Sequence, residues 1–426
     1  MRLLFSLWLA VCGVAFGQLT PVPPPSTAMP SHPFFILKTW IIGGVGSWDY
    51  MTMDPAANQL FIAHGPTVQV VDVASGTVAG TIKGLREAHA IILGEDGTYG
   101  YISDGPADMV RVFDRRTFEV VASIPTGPAP RSMALDPTSG LLFVVGSHPN
   151  VAGGPGTIQA RSGATERAGG TRGRSGGPES SLTVIDVEKR IPLAQIVLPG
   201  NLGFAQADGD GRIYITVADR NLILRVNAQS IGNYVHQIIE TRPKEKQPRT
   251  GRQPDKGLLL DWTPGTQQAP PVDAYPAAFF LGSNCDHPRS LAFDPAHDRL
   301  FAACSNYKMV VLNGATGQGV AAVPIGPGAD AIGYDPNRGL IYTANGAGDG
   351  SLTIIRQDVT DTYSVIQTLP TRQHARTLAV DPANGDVYLT TVIYGAELST
   401  PFTNGAPASL KVAPVDASFQ VLVVGN

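Results

Sequence analysis

The sequence predicts an all-β protein: a seven-bladed β-propeller of four-stranded blades, closed by an N-terminal strand and carrying two long loop insertions. The main observation is a phrase that recurs seven times, made of small and apolar residues, Asp-Pro, a turn and a β-rich run. Its uninterrupted copies repeat with a period in the low forties, and the chain holds 48 glycines and 35 prolines. Such a period with many tight turns is typical of propeller blades.

Each copy of the phrase is anchored by a turn residue at the end of the first, inner strand of a blade. The seven anchors are Asp54, Gly94, Asp136, Asp208, Asp294, Asp335 and Asp381. Proline follows five of them and pre-sets the backbone angle of the turn, while the aspartate side chain accepts hydrogen bonds from the turn amides. Each anchor therefore predicts the turn between the first and second strands of one blade.

The order of elements within a blade is clearest in blade five. Its four strands are predicted at 290–293, 300–304, 308–312 and 321–325. Residues 34–42 resemble an outer strand without a blade of their own. We expect them to pair with the last blade and close the ring, which removes an exposed sheet edge.

Two gaps between anchors are too long for one blade. The interval from Asp136 to Asp208 and the interval from Asp208 to Asp294 each approach or reach twice the usual period. The excess falls at about 150–180, rich in glycine, serine and arginine, and at 241–286, which lacks the Asp-Pro phrase. Both are predicted to be loop insertions rather than an extra blade.

The insertions are expected to gather at one end of the channel. Together with the connection 394–408 in blade seven, they would lie where the inner strands begin, as a lid or a partner surface. The alternative is that the insertions simply lie where the fold tolerates extra residues with little loss of stability.

The N-terminus, 1–17, predicts a secretory signal peptide. Arg2 supplies the positive charge, the stretch 3–11 forms the apolar core, and Ala15-Phe16-Gly17 is a small-x-small cleavage site. The stretch 18–33 is then a proline-rich extended spacer, and 34–426 a single propeller domain.

This N-terminus predicts a periplasmic or secreted protein. The apolar run is too short for a permanent membrane span. A lipoprotein acylated on Cys12 is the alternative, but Val11 stands where a small residue is wanted. Two further cysteines, Cys285 and Cys304, remain in the mature chain. An exported protein with an even count favours a disulfide between them, at adjacent ends of one hairpin; two separate buried thiols are the alternative.

A candidate site follows from the repeat register. Five positions before the anchors stand Asp49, His89, Arg131, Gly203, Arg289, Asp330 and Arg376. Because inner strands line the channel, these side chains should converge on one ring at its mouth. Three arginines allow bidentate recognition of a carboxylate or phosphate, and the histidine titrates near neutral pH. The alternative is an internal network in which arginines and aspartates pair between blades.

Several stretches carry a resemblance to a known family. They are 48–50, 53–55, 60–65, 212–215, 299–301, 375–379, 419–425 and the literal motif Tyr342-Thr343-Ala344-Asn345. On these residues the chain resembles the YncE-like family of bacterial exported propellers, which is built from YVTN repeats. The resemblance runs from about Phe34 to the C-terminus outside the insertions. It implies a seven-bladed periplasmic or secreted propeller, in a family whose function is mostly unassigned.

The function expected from these features is binding of a small anion or an envelope protein partner at the channel mouth. One alternative is a hydrolase of lactone type, as in some similar propellers, with His89 as base and Arg289 and Arg376 stabilising the oxyanion. The other is a non-catalytic interaction scaffold.

Cofactor and nucleic-acid motifs add nothing to this expectation. No haem, phosphate-loop or zinc motif is present, so no cofactor is predicted. A net charge of −4 gives no reason to expect nucleic acid. The arginines of the first insertion lack interleaved aromatics and fit a solvated loop. We expect a monomer.

Overall fold

A computed structural model of the chain describes residues 20–21, 32–44, 46–147, 178–241, 258–261, 274, 276–358, 361–398, 410–415 and 417–426. The predicted signal peptide, most of the proline-rich spacer and most of the first insertion lie outside the described residues. Within the described part, no helix is long and apolar enough to span a membrane.

Seven sheets of antiparallel strands form a ring around a central channel, as predicted. Before the first blade come β1 (Thr20–Pro21) and β2 (Phe35–Ile41). Blade one consists of β3 (Trp48–Asp54), β4 (Gln59–His64), β5 (Thr67–Asp72) and β6 (Thr77–Ile82). Blade two consists of β7 (Ala88–Leu93), β8 (Tyr99–Asp104), β9 (Met109–Asp114) and β10 (Val120–Pro125). Blade three consists of β11 (Pro130–Asp136), β12 (Leu141–Ser147), β13 (Glu179–Asp186) and β14 (Ile191–Pro199).

The second half of the ring repeats this plan with one helix added. Blade four consists of β15 (Leu202–Ala207), β16 (Arg212–Val217), β17 (Leu222–Asn227) and, after α1 (Ala228–Thr241) and β18 (Leu258–Asp261), β19 (Ala277–Phe280). Blade five consists of β20 (Pro288–Asp294), β21 (Arg299–Cys304), β22 (Lys308–Asn313) and β23 (Gly319–Pro324). Blade six consists of β24 (Ala329–Asp335), β25 (Leu340–Asn345), β26 (Ser351–Asp358) and β27 (Thr362–Pro370).

Blade seven joins the two ends of the chain. It consists of β28 (Thr377–Val380), β29 (Val387–Thr391) and, after the hairpin β30 (Tyr394–Leu398) and β31 (Leu410–Pro414), β32 (Gln420–Gly425). Its outermost strand is β2, which pairs antiparallel with β32, Thr39 opposite Leu422. The predicted closure by an N-terminal strand is therefore confirmed, and the covalent break in the ring lies inside a hydrogen-bonded sheet.

The core lies between neighbouring blades and is built by the aromatic residue of the repeated phrase. Each second strand contributes one such buried ring: Phe61, Tyr101, Phe143, Tyr214, Phe301, Tyr342 and Tyr388. Burying a large apolar side chain contributes about 1.5–3 kcal/mol, so this one position accounts for much of the packing that orients the blades.

The aspartates of the repeated phrase act as predicted in the turns. Asp54, Asp136, Asp294, Asp335 and Asp381 each accept a backbone amide two or three residues onward at 2.9–3.2 Å. We call the end of the channel that carries these turns the turn end, and the opposite end, where inner strands begin, the mouth.

The second insertion and the stretch directly before it contain secondary structure that the sequence analysis did not predict. Helix α1 follows β17 directly and buries Ile231 and Val235 in the core of blades three and four. Strand β18 then pairs parallel with β14 as a fifth strand of blade three. The outer strand of blade four, β19, also lies inside the range assigned to the insertion.

This arrangement corrects the expected position of the second insertion. It joins the third strand of blade four to the fourth, and strand direction alternates through a blade, so it starts at the turn end rather than at the mouth. The first insertion and the hairpin β30–β31 join second to third strands, and both leave from the mouth as expected.

Candidate functional site

The seven ring positions coincide with an irregularity in the inner strands. In blades one to six the pairing of first and second strands shifts register across the ring residue, between Trp48 and Met51 in blade one and between Pro288 and Ser290 in blade five, for example. Similar shifts occur across His89, Arg131, Gly203 and Asp330. A β-bulge bends the strand and re-aims one side chain. The bulges therefore turn the ring residues out of the sheet plane at the mouth.

The backbone groups released by the bulges are satisfied from the second strand. Ser103 Oγ accepts the Ala90 amide at 2.9 Å, and Thr216 Oγ1 accepts the Phe204 amide at 2.8 Å. A buried amide without a partner costs about 1–3 kcal/mol, so these hydroxyls stabilise the bulged conformation. The irregularity is thus built into the fold.

A cavity of about 350 Å³ opens at the mouth above the bulges. Six of the seven ring residues line it: Asp49, Arg131, Gly203, Arg289, Asp330 and Arg376. Residues outside the ring register also contribute polar groups, namely Glu179, Asn201, Asp219 and His287. A concave site with several convergent polar groups is the usual form of a small-ligand site.

His89 is the ring residue that does not line this cavity. It is 8% exposed, its Nδ1 donates to Asp49 Oδ2 at 2.8 Å, and Nε2 faces Gly105, where a methyl group would come within 2.6 Å of it. Asp49 Oδ2 also lies 3.4 Å from an Arg131 guanidinium nitrogen. The histidine therefore orients a carboxylate of the mouth and offers no nitrogen to a ligand in the cavity.

Asp330 and Arg376 form the second pair of the ring. Their closest ion-pair distance is 3.6 Å, and the side chains of Arg376 and Asp330 are 44% and 43% exposed. Partial loss of water contact inside the channel mouth raises the pKa of Asp330 above its ordinary value, and the Asp49 carboxylate adds to this, while Arg376 offsets part of it. This is a loose pair whose acid is easier to protonate than a free aspartate.

Arg289 differs from the other two arginines. Its Nε donates to Ser305 Oγ at 3.0 Å, and within the described residues no carboxylate lies within ion-pair distance. The neighbouring ring position, in blade four, is Gly203, which lines the same cavity; a Cβ there would come within 2.7 Å of Thr216 Oγ1, the hydroxyl that accepts the Phe204 amide. Asp219 in the same wall is engaged, since it accepts the Asn201 amide at 2.6 Å. Arg289 is thus the ring arginine without an ion pair among the described residues, although its charge still acts on Asp330, whose pKa it lowers.

A disulfide holds the segment that precedes Arg289. Cys285 and Cys304 are bonded, with their Cα atoms 5.2 Å apart, and both are fully buried. The loop continues through His287, whose left-handed φ of 47° sets the entry into β20. Ala129 and His374 adopt the same conformation two residues before Arg131 and Arg376, so one backbone device presents all three arginines.

The floor of the cavity is aromatic. Tyr50 and Phe204 follow ring residues in blades one and four, and their ring centroids lie 5.3 Å apart in an edge-to-face arrangement. Burial, reinforced by Asp49 and Asp330, raises the pKa of the Tyr50 hydroxyl far above its usual range. The floor is therefore uncharged at any physiological pH.

The described residues contain no group of three or more His, Cys, Asp or Glu side chains that could hold a metal ion. Sequence reasoning identified the ring but missed the residues contributed by loops and outer strands. Asp219 and Glu179 carry no repeat signal, whereas His287 could have been found from its fixed offset of two residues before Arg289.

Comparisons with known proteins identify the fold. No protein-family model matches the chain, and no curated protein matches it. Among solved structures it is similar to a chain of the mitotic checkpoint complex, with a TM-score of 0.57 and 14% identity over 89% of this chain and 96% of that one. U3-55K gives a TM-score of 0.58 and 9% identity over 94% and 99%. Hydrazine synthase of Kuenenia stuttgartiensis gives 0.50 and 16% over 74% and 84%. These likenesses show a β-propeller, an architecture shared with WD40-type repeats.

Proposed function

We propose that this propeller is a binding protein that takes the carboxylate or phosphate group of a small ligand at the channel mouth. The observation that carries the proposal is Arg289, a cation that has no ion-pair partner among the described residues and lines the mouth cavity. Guanidinium groups bind carboxylates and phosphates through parallel hydrogen bonds, which makes an unpaired arginine in a cavity a specific anion acceptor.

The other two arginines support the same proposal because their internal pairs are weak. Arg131 and Arg376 meet aspartates at 3.4 and 3.6 Å through one closest contact each. Exposed pairs of this kind contribute about 0–1 kcal/mol, so a ligand anion can replace the aspartate at little cost. Three arginines can then turn toward one ligand group.

The position of His89 weakens the hydrolase alternative. A general base must come within hydrogen-bond reach of the proton it removes. His89 binds Asp49 through Nδ1 and packs Nε2 against Gly105, so it has no open path to a substrate in the cavity. An envelope protein is the second candidate partner, supported by the β30–β31 hairpin, which rises at the same end of the channel.

Two sequence-based expectations belong to this proposal. Membership of the YncE-like family rests on the matching stretches named above, and export to the periplasm or the medium rests on the N-terminal stretch 1–17. A disulfide at the mouth is in keeping with an oxidising compartment. In such a place the protein would meet ligands from outside the cell.

A thermal-shift panel with inorganic phosphate and gluconate tests the proposal. A ligand at a hundred times its dissociation constant stabilises the folded state by about 2.7 kcal/mol. We expect a raised Tm for the protein, loss of most of that rise in Arg289→Gln, and no loss in the control Arg356→Gln, which changes an exposed arginine of β26. Equal stabilisation of Arg289→Gln would show that the mouth is not the site. If neither anion raises the Tm of the unchanged protein, the scaffold alternative is favoured.

A further inference from the structure

The turn between the second and third strands of blade five is fastened to the segment that carries Arg289. Ser305 begins this turn, directly after Cys304 of β21. Its amide donates to the Asp286 carbonyl at 2.8 Å, and the disulfide from Cys304 to Cys285 links the two segments one residue earlier in each. The turn and the segment before Arg289 are therefore held together by a covalent bond and a hydrogen bond side by side.

The hydroxyl group of Ser305 extends this contact to the guanidinium. Its Oγ donates to the His287 carbonyl at 3.3 Å and accepts from Arg289 Nε at 3.0 Å. A hydroxyl has one donor and two acceptor lone pairs, so donation to the carbonyl leaves the lone pairs for the arginine. The carbonyl is itself held in place, because the His287 amide donates to Asn221 Oδ1 of blade four at 2.9 Å.

This contact occupies one side of the Arg289 guanidinium and leaves the other side available. An arginine carries five N–H donors, and Ser305 takes the single one on Nε. No described residue accepts a hydrogen bond from the two terminal nitrogens. Their N–H groups form an edge that can bind a carboxylate or phosphate through two parallel hydrogen bonds.

The equivalent position in blade seven lacks such a hydroxyl. Counted along the second strand from the pairing next to each ring arginine, Ser305 corresponds to Val392. Valine has no group that could accept from the arginine of its blade, and the closest ion-pair contact of Arg376 is the one to Asp330 at 3.6 Å. The two arginines share a ring position but differ in what orients them.

We propose that Ser305 is a positioning residue for anion binding at the mouth. It orients Arg289 through Nε and does not touch the ligand, since it is not among the residues that line the cavity. An arginine that is ordered beforehand loses less side-chain freedom when it binds, which favours affinity. The inference rests on the anion site proposed above and adds the group that prepares its main cation.

A double-mutant cycle on the full chain, read by calorimetric titration with inorganic phosphate, tests the inference. Ser305→Ala should weaken phosphate binding by about twofold to tenfold, the range for one hydrogen bond, and Ser305→Thr, which keeps a hydroxyl, should retain most of the affinity. Arg289→Lys keeps the charge but loses the planar fork. In that background Ser305→Ala should have little further effect, because the hydroxyl acts through the guanidinium.

Ser123→Ala is the matched control, since it removes a hydroxyl that accepts from Arg111 outside the mouth cavity, and it should leave phosphate binding unchanged. An equal loss from Ser305→Ala in both backgrounds, or no loss in either, would overturn the positioning role while leaving the anion site intact. Phosphate binding that is absent from the unchanged protein, or that Arg289→Gln leaves unaltered, would overturn the anion site and the positioning role with it.

Discussion

The two ends of the channel are built from the same residue types, arginine and aspartate at repeating positions, yet the structure joins them differently. At the turn end, Arg299 of blade five holds Asp361 of blade six through two nitrogens, at 2.6 and 2.9 Å. At the mouth, Arg376 reaches Asp330 no closer than 3.6 Å. The residue types are the same, but the short two-nitrogen contact at the turn end stabilises the fold, whereas the long contact at the mouth leaves Arg376 able to bind a ligand.

The ties of the turn end link one blade to the next along much of the ring. Arg115 of blade two binds the buried anchor Asp54 of blade one. Arg212 of blade four pairs with Asp298 of blade five at 2.8 Å, and an Arg338 nitrogen donates to the Asn384 carbonyl of blade seven at 2.7 Å. The anchors thus stabilise their own turns and the contacts between blades. Among the mouth residues, the three ring arginines contribute little to either, which leaves them available to a ligand.

The largest expected effect separates the two ends by stability. Arg115→Ala would leave the Asp54 carboxylate buried without its cation, and breaking a buried pair costs about 3–5 kcal/mol. Arg131→Ala at the mouth should cost less than about 1 kcal/mol, because that pair is partly exposed and Asp49 keeps His89. Urea unfolding of both variants measures the difference. Equal losses would mean that the mouth ring is as structural as the turn end, and the contrast drawn above would fail.

The disulfide is a covalent structural element at the mouth, so removing it sharpens the comparison. The double variant Cys285→Ala, Cys304→Ala should lose about 3 kcal/mol, the value expected for a closed loop of this length. Cys285 lies four residues before Arg289. The double variant should therefore also weaken anion binding, whereas Arg115→Ala should leave anion binding unchanged. Thermal unfolding and a phosphate titration measure the two effects. Alkylation of the denatured, unreduced protein is the control, and two labelled cysteines would mean that no bridge forms.

The sequence could predict those features of the structure that recur at the same position in every blade. The turn aspartates, the buried aromatic of each second strand and the ring positions all recur at fixed offsets, so they could be placed without a structure. The orientation of the His89 side chain could not be predicted in this way, because it depends on contact with Gly105, just beyond the next strand of the same blade. Side-chain packing of this kind leaves no periodic trace.

The unrepeated parts of the chain were also the ones that sequence analysis described least well. Helix α1 contains Gly232 and several β-branched residues, which lower helix propensity, and its stability comes from burial of Ile231 and Val235 against two blades. The gap at Gly203 was visible as a missing charge in the ring. The reason for it became clear only from the structure, where a Cβ at this position would come within 2.7 Å of Thr216 Oγ1.

The smallest expected effect is a pH dependence: on acidification, the turn end should lose stability, whereas the mouth should gain affinity for anions. At the turn end, the hydrogen bond from Arg299 lowers the pKa of Asp361, so the stability it contributes is present above the unfolded pKa of about 3.9 and is lost as pH falls through the lower folded value. At the mouth, burial raises the pKa of Asp330, so on acidification it loses its charge before a free aspartate does.

Neutralising Asp330 releases Arg376 for a ligand, so anion affinity should rise severalfold as the solution is acidified from neutral pH toward the ordinary aspartate range, before the turn end begins to weaken. Asp330→Asn should bind the anion more tightly at neutral pH and show a flatter pH profile. Titrations with a sulfonate probe, which stays ionised throughout this range, measure the effect without protonation of the ligand itself. A wild-type affinity that falls on acidification would mean that Asp330 supports the ligand rather than competing with it, and the loose pair would then be part of the binding site in its charged form.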